Sequence, residues 1–165
     1  MERIWAPWRQ SYVSNAGPDK GGCIFCPDGA GADDRERLIL ARSDYSLVML
    51  NRYPYTGGHL MVAPLRHAAG IGDLSDSEVL DLMHLLRKSQ ALLQRVANPD
   101  GFNIGINLGR AAGAGEEEHL HIHIVPRWNG DSNFMTVVGD VRVIPDGLTE
   151  AYERLSAALA EGAES

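Results

Sequence analysis

Apolar residues recur with two different periods along this chain, and the changes of period mark its elements. From Leu38 the pattern is extended. Residues 45–50 are apolar and partly β-branched, the run from Tyr53 through Pro54, Tyr55, Thr56 and Gly57 to Gly58 has turn composition, and residues 59–64 read as a second strand. Together they predict a hairpin. Ser75 and Glu78 have capping-box spacing. Val79, Leu82, Met83, Leu86, Leu93 and Val96 then repeat at helical spacing, so a long helix lays one face on a core. Asn98, Pro99, Asp100 and Gly101 end it. Residues 102–108 alternate as a strand, residues 109–115 form a loop rich in glycine and alanine, and residues 119–126 are strongly β in character. A last helix is expected from near Thr149 through Tyr152, Leu155 and Leu159. Strands, one long helix, strands and a helix predict an α+β domain with a mostly antiparallel sheet rather than a doubly wound parallel one.

The 165 residues fit a single domain over 1–165, with an arm and cysteine loop at 1–30 and a C-terminal helix and tail at 144–165. Trp5, Pro7, Trp8 and Tyr12 crowd the arm, where aromatics are expected to pack on the body or on a second subunit. No apolar stretch approaches the roughly eighteen residues of a membrane span, and the start lacks the layout of a signal peptide. The expected address is cytoplasmic, with no membrane partner. The formal charge of −7 argues against a protein that holds nucleic acid by its phosphates, yet a few local donors suffice for one small anion. Cys23 and Cys26 form a C-x-x-C pair, which in a reducing compartment points to metal or redox chemistry.

The segment His119, Leu120, His121, Ile122, His123, Ile124, Val125 carries the chemistry. On a strand, the three histidines share one face and Leu120, Ile122 and Ile124 the other. The apolar face covers a core. A single strand histidine is commonly a packing residue, but three alternating imidazoles after a glycine-rich loop are poor core material. Two functions suit them: three ligands for a zinc ion with an open fourth position, or a neutral imidazole that attacks while its neighbours handle protons and charge. Asn51, His59 and Asn107, at strand ends beside glycines, favour the second, because a nucleotide needs ribose partners, phosphate donors and close backbone approach.

The heptad from His119 to Val125 resembles the signature of the histidine-triad (HIT) superfamily. So do Leu50, Asn51 and Arg52 together with the run from Gly58 and His59 to Pro64, and Asn107, Leu108 and Gly109. The resemblance runs from about Cys23 to about Val143. Pro126, Arg127 and Trp128, followed by Gly130, Asp131, Ser132, Asn133 and Phe134, are less like the phosphoramidase branch. They are more like the diadenosine-polyphosphate branch, which includes the fragile histidine triad hydrolases and, most similar, the bacterial diadenosine tetraphosphate phosphorylases (ATP adenylyltransferases).

The resemblance implies a HIT-like fold: a five-stranded antiparallel sheet with one long central helix and a C-terminal helix, the sheet extended across a homodimer. It implies an adenine nucleotide or dinucleoside polyphosphate substrate bound over the histidine strand, with no organic cofactor. His121 would attack the α-phosphorus and form a nucleotidyl-histidine. His123 would contact the phosphate and leaving group, and His59 would complete the polar face around that phosphate. Asn51 would hold the ribose hydroxyls and Asn107 the phosphate or leaving portion, with Gly115 and His119 also at the substrate. Water as acceptor releases AMP and inorganic phosphate releases ADP; the resemblance leaves the two open. The alternatives are an adenosine phosphoramidase and, from another class, a three-histidine metal-dependent hydrolase or a non-catalytic nucleotide-binding module.

Zinc-bearing members of the superfamily resemble this chain in a further respect, which implies a structural Zn²⁺ on Cys23, Cys26, His67 and His119. One departure stands out. Relatives often carry Gln or Ser in the loop before the triad, where this chain has Gly113, Ala114, Gly115 and Glu116, so backbone N–H groups are expected to substitute. Glu116, Glu117 and Glu118 are expected to be solvated, His84 to be a surface or packing residue, and Trp128 to serve dimer packing or base stacking.

Overall fold

The computed structural model describes residues 22–26, 33–131 and 147–163. The arm with Trp5, Pro7, Trp8 and Tyr12, the run Ser132, Asn133 and Phe134, and the end of the tail lie outside the described residues. Five strands, β1 (Ile39–Arg42), β2 (Ser46–Leu50), β3 (Leu60–Pro64), β4 (Gly101–Ile106) and β5 (Ile122–Arg127), form one sheet in the spatial order β1-β2-β3-β5-β4. Every pairing is antiparallel. The two helices are α1 (Asp76–Ala97) and α2 (Leu148–Ala163). This is the expected α+β architecture, with α1 across β2, β3 and β5, and α2 against α1 and β1.

Alternation along the strands sorts the core into two clusters. Val48, Leu50, Leu60, Val62, Leu120, Ile122 and Ile124 face the helices and meet Leu82, Leu85, Leu86, Leu92, Leu93, Ala151 and Leu155. Leu47, Met49, Met61 and Ala63 face the other way and pack with Ile39 and Phe25. Because both faces are covered, β2 and β3 read as continuous apolar runs.

Helix α1 starts as its sequence dictates. Glu78 N–H donates to the Ser75 hydroxyl at 3.3 Å, and Ser75 N–H donates back to the Glu78 carboxylate at 2.8 Å. Arg66, just past β3, grips the same carboxylate through two bonds at 2.8 and 2.9 Å, and with the Ser75 amide holds it down to about 2. Leu82, Leu86 and Leu93 face the core as predicted, joined by Leu85, Ser89 and Leu92. Met83 does not: it is 50% exposed, because one residue past Leu82 the helix has turned about 100° away from that face. His84 is likewise exposed.

The histidine segment differs from a strand over 119–126 at its start. The ladder begins at Ile122, and Leu120 instead donates its N–H to the Ala68 carbonyl at 2.7 Å. Leu120 still joins the helix-side core. The Trp128 indole N–H donates to the Ala97 carbonyl at 3.2 Å, closing the last turn of α1. No described helix is long and apolar enough to cross a membrane.

Candidate active site

The turn between β2 and β3 places the first elements of the site. Gly58 has φ +78°, and a Cβ there would lie 3.3 Å from Leu93 Cδ2 and 3.6 Å from Pro126 Cγ. A left-handed backbone wedged between helix and strand favours glycine. The Thr56 hydroxyl donates to the Pro126 carbonyl at 3.0 Å, tying this turn to β5. His59 follows, fully enclosed at 0% exposure.

Hydrogen bonds fix which nitrogen of each ring carries the proton. Tyr55 N–H donates to His59 Nδ1 at 3.1 Å, so the proton of a neutral His59 sits on Nε2. That nitrogen is 3.0 Å from His123 Nδ1, which accepts it. The His123 proton is thereby placed on Nε2, on a side chain that lines the cavity. His121 is set the opposite way. Its Nδ1–H donates to the His119 carbonyl at 2.8 Å, leaving the Nε2 lone pair free. One imidazole with a lone pair and one with an N–H thus stand side by side, ring centroids 4.9 Å apart.

Burial keeps these rings neutral. It pushes His59 down to about 3, helped by the neighbouring His123 and His121 charges, and His123 down to about 4, helped by His121. His121 is also lowered by burial, against a pull upward from its bond to His119.

The rings border a cavity of about 950 Å³ on the sheet face away from α1. This is near the top of the range for small-ligand sites. Asn51, Asn107, Gly115, His121 and His123 line it. His59 and His119 do not. His59 stands one layer behind His123, so it reaches a ligand only through that ring. His119 turns away, with Nε2 2.8 Å from the Pro64 carbonyl and Nδ1 toward the cysteines. The three triad rings therefore do not converge on one point, which removes the three-histidine metal centre.

Sequence reasoning gave no site role to several lining residues. Arg37, Arg52 and Arg127 give the cavity local positive charge despite the net charge of −7. Arg127 is aimed by Asp131, through bonds at 2.5 and 2.8 Å, and by Asn103 at 2.7 Å. Arg37 donates to the carbonyls of Ile24 and Cys26 at 3.0 and 2.6 Å. Glu116 also lines the cavity and is not a solvated loop residue; partial burial raises its carboxyl. Glu117 pairs with Arg110 at 2.7 Å, and Glu118 is exposed. The Tyr55 ring lies 4.7 Å from that of His59, tilted by 36°, an arrangement without a sequence signal.

Cys23, Cys26, His67 and His119 form a second constellation, their ligand atoms all within 4.8 Å of one another. Cys23 Sγ to His119 Nδ1 is 3.2 Å, Cys26 Sγ to His67 Nδ1 3.2 Å, Cys26 Sγ to His119 Nδ1 3.6 Å and His119 Nδ1 to His67 Nδ1 3.3 Å. A tetrahedron with Zn–N of about 2.0 Å and Zn–S of about 2.3 Å has edges of roughly 3.3–3.8 Å between such atoms, so the donor set fits that ion. The Pro64 carbonyl holds the proton on His119 Nε2 and leaves Nδ1 as a ligand. Burial pushes the Cys23 thiol up to about 11, so it ionises at neutral pH only beside a cation.

Known proteins agree with this architecture. Residues 33–130 match the HIT domain family. The AP-4-A phosphorylase of Mycobacterium tuberculosis is 39% identical over 162 residues, covering 94% of this chain and 83% of that protein. The adenosine 5'-monophosphoramidase of Schizosaccharomyces pombe is 29% identical, covering 83% of this chain and 98% of its own. The crystal structure of a Zn-bound histidine triad family protein from Mycobacterium smegmatis aligns with TM-score 0.63 and 30% identity, over 77% of this chain and 86% of that one. The chain belongs to the HIT family and is an enzyme of it.

Proposed function

We propose that this enzyme cleaves dinucleoside polyphosphates, such as diadenosine tetraphosphate, at the α-phosphate through a covalent nucleotidyl-His121 intermediate. The single observation that carries the mechanism is the opposite protonation of two adjacent rings: a bare Nε2 on His121 and an N–H on His123. The His121 lone pair forms the N–P bond as the bond from phosphorus to the bridging oxygen breaks, its electrons leaving with that oxygen. The His123 Nε2–H would donate a hydrogen bond to the departing oxygen, which leaves as a phosphate anion. In the second half, an oxygen of inorganic phosphate, or water with loss of its proton to solvent, attacks the phosphoramidate, and the breaking N–P bond returns its electron pair to His121. Arg127, Arg52 and Asn107 supply positive charge and donors for the phosphates, and Asn51 a partner for the ribose. The kinship to the mycobacterial AP-4-A phosphorylase supports this substrate class and phosphate as the acceptor.

Two accompanying assignments belong to the same proposal. Zn²⁺ is held by Cys23, Cys26, His67 and His119 and supplies only structure, tying the cysteine loop to the chain ahead of β5. Two copies pair through the sheet edge at β4, where Asn103, Ile104 and Gly105 are exposed beside an exposed Leu108.

Product analysis with diadenosine tetraphosphate, with and without inorganic phosphate and with His121→Ala, tests the reaction. ATP plus ADP only with phosphate, lost in the variant, is the expected result. ATP plus AMP without phosphate makes the enzyme a hydrolase by the same nucleophile. Preferential turnover of an AMP–amine conjugate makes it a phosphoramidase.

A further inference from the structure

The C-x-x-C loop does more than present two thiols: its third residue reaches the reacting histidine. Phe25 is fully enclosed at 0% exposure. Its ring lies 4.9 Å from that of His121 and only 26° from parallel, a stack. The same ring meets His119 at 5.1 Å and 45°. Elsewhere it packs against Ile39, Leu47, Met49, Met61 and Ala63 on the sheet face opposite the helices. The phenyl therefore fills the space between that apolar surface and the two imidazoles.

His121 needs such a neighbour. Its Nδ1–H bond to the His119 carbonyl, 2.8 Å long, decides which nitrogen faces the cavity. One hydrogen bond tolerates substantial rocking of a ring about its axis, because the bond weakens steeply only at large angles. A flat apolar surface against the ring face limits that rocking. His123 crosses His121 edge-on at 79° and supplies a further contact. Position matters here, since misplacing a reacting atom by about 1 Å costs on the order of 100-fold in rate.

We infer that Phe25 is a positioning residue for the His121 nucleophile, and that the cysteine loop is the element that holds it in place. The inference rests on the assignment of His121 as nucleophile. The loop is anchored independently of the phenyl. Cys26 N–H donates to the Cys23 carbonyl at 3.2 Å, and the Arg37 guanidinium donates to the Ile24 and Cys26 carbonyls. Both thiols engage the cluster with His67 and His119. Phe25 offers no polar atom, and although it also borders the cavity, a packing contact with the ligand alone would move KM, whereas loss of ring positioning lowers kcat.

The test uses the full-length protein with its native metal content. Wild type, Phe25→Leu, Phe25→Tyr, Leu47→Val and His121→Ala are compared by steady-state kinetics on diadenosine tetraphosphate and by imidazole NMR of histidine-labelled protein. In Phe25→Leu, kcat falls by roughly 10- to 100-fold while KM changes little, and the hydrogen-bonded His121 Nδ1–H resonance broadens. Phe25→Tyr keeps a flat ring and keeps most of kcat. Leu47→Val loosens the same apolar cluster away from the cavity and lowers stability without lowering kcat. Wild-type kcat and an unchanged imidazole spectrum in Phe25→Leu would overturn the inference. So would losses of kcat that follow melting temperature equally in Phe25→Leu and Leu47→Val. Turnover that survives in His121→Ala would instead defeat the nucleophile assignment, and the NMR comparison would still decide whether Phe25 holds the ring.

Discussion

His59 Nε2 lies 3.0 Å from His123 Nδ1, and this contact between a buried ring and a half-buried one decides where the protons of the site reside. His59 receives Tyr55 N–H on its far nitrogen, at 3.1 Å. The chain Tyr55 N–H, His59, His123 has one direction, and it ends with an N–H on a side chain at the cavity wall. The contribution of His59 is made one ring removed from the substrate.

His59→Asn should accordingly lower kcat with little effect on KM. By analogy with partners that orient metal ligands, the loss is expected at roughly 10- to 100-fold. Steady-state kinetics checks it; a change confined to KM would show that His59 meets the substrate directly.

The same rings make the fold sensitive to acid. His59 at about 3 and His123 at about 4 both lie below the ordinary value of 6.5. Between those values and 6.5 the unfolded chain binds protons that the folded chain does not, so stability falls as pH drops below about 6.5. The lowered carboxyls Glu78, Asp34 and Asp81 lose their stabilising charge only as pH falls below about 4.5. Denaturant titrations at pH 6.5 and 4.5 should show the wild type losing more stability than His59→Asn over that interval.

How much of this was legible in the sequence depended on how local each cause is. The Ser75–Glu78 cap, the period of α1 and the alternation of His121 and His123 with Ile122 and Ile124 are set by neighbours in the chain, and they stand where the pattern put them. Gly58 beside His59 was visible as a glycine-histidine pair. That His59 stands behind His123 was not, because it depends on the pairing of Met61 with His123 across β3 and β5. Phe25 was hidden for the same reason: its partner His121 is nearly a hundred positions away. Glu116 looked like one of three solvated acids, and only the loop's course over the cavity separates it from Glu118.

Glu116→Gln should tighten binding. On the proposed reading of the cavity as a phosphate site, a half-buried carboxylate there repels the substrate, so removing its charge is expected to lower KM roughly three- to tenfold, equivalent to about 1 kcal/mol. The gain should shrink as ionic strength rises. Unchanged KM at low salt would place the carboxylate away from the bound phosphates.

Gly58→Ala should destabilise the fold. A non-glycine residue at φ +78° costs about 1–2 kcal/mol, before the 3.3 Å approach to Leu93 is counted. In a chain of this size each kcal/mol lowers the melting temperature by about 2–4 °C, which calorimetry resolves.

Chelation, or Cys23→Ser with Cys26→Ser, should lower the melting temperature and reduce turnover without abolishing it. The cluster steadies the loop that carries Phe25 but does not touch the reacting phosphorus. Loss as complete as in His121→Ala, restored by added metal alone, would give the metal a part in the chemistry.

The central claim is that His121 carries the nucleotidyl group. Rapid acid-free quenching of the enzyme with diadenosine tetraphosphate in the absence of inorganic phosphate, followed by mass spectrometry of its peptides, tests it most directly. The account predicts one adenylyl group on the peptide containing His121, removed on adding the acceptor and absent from His121→Ala. Turnover with no adduct, or an adduct on any other residue, would contradict it.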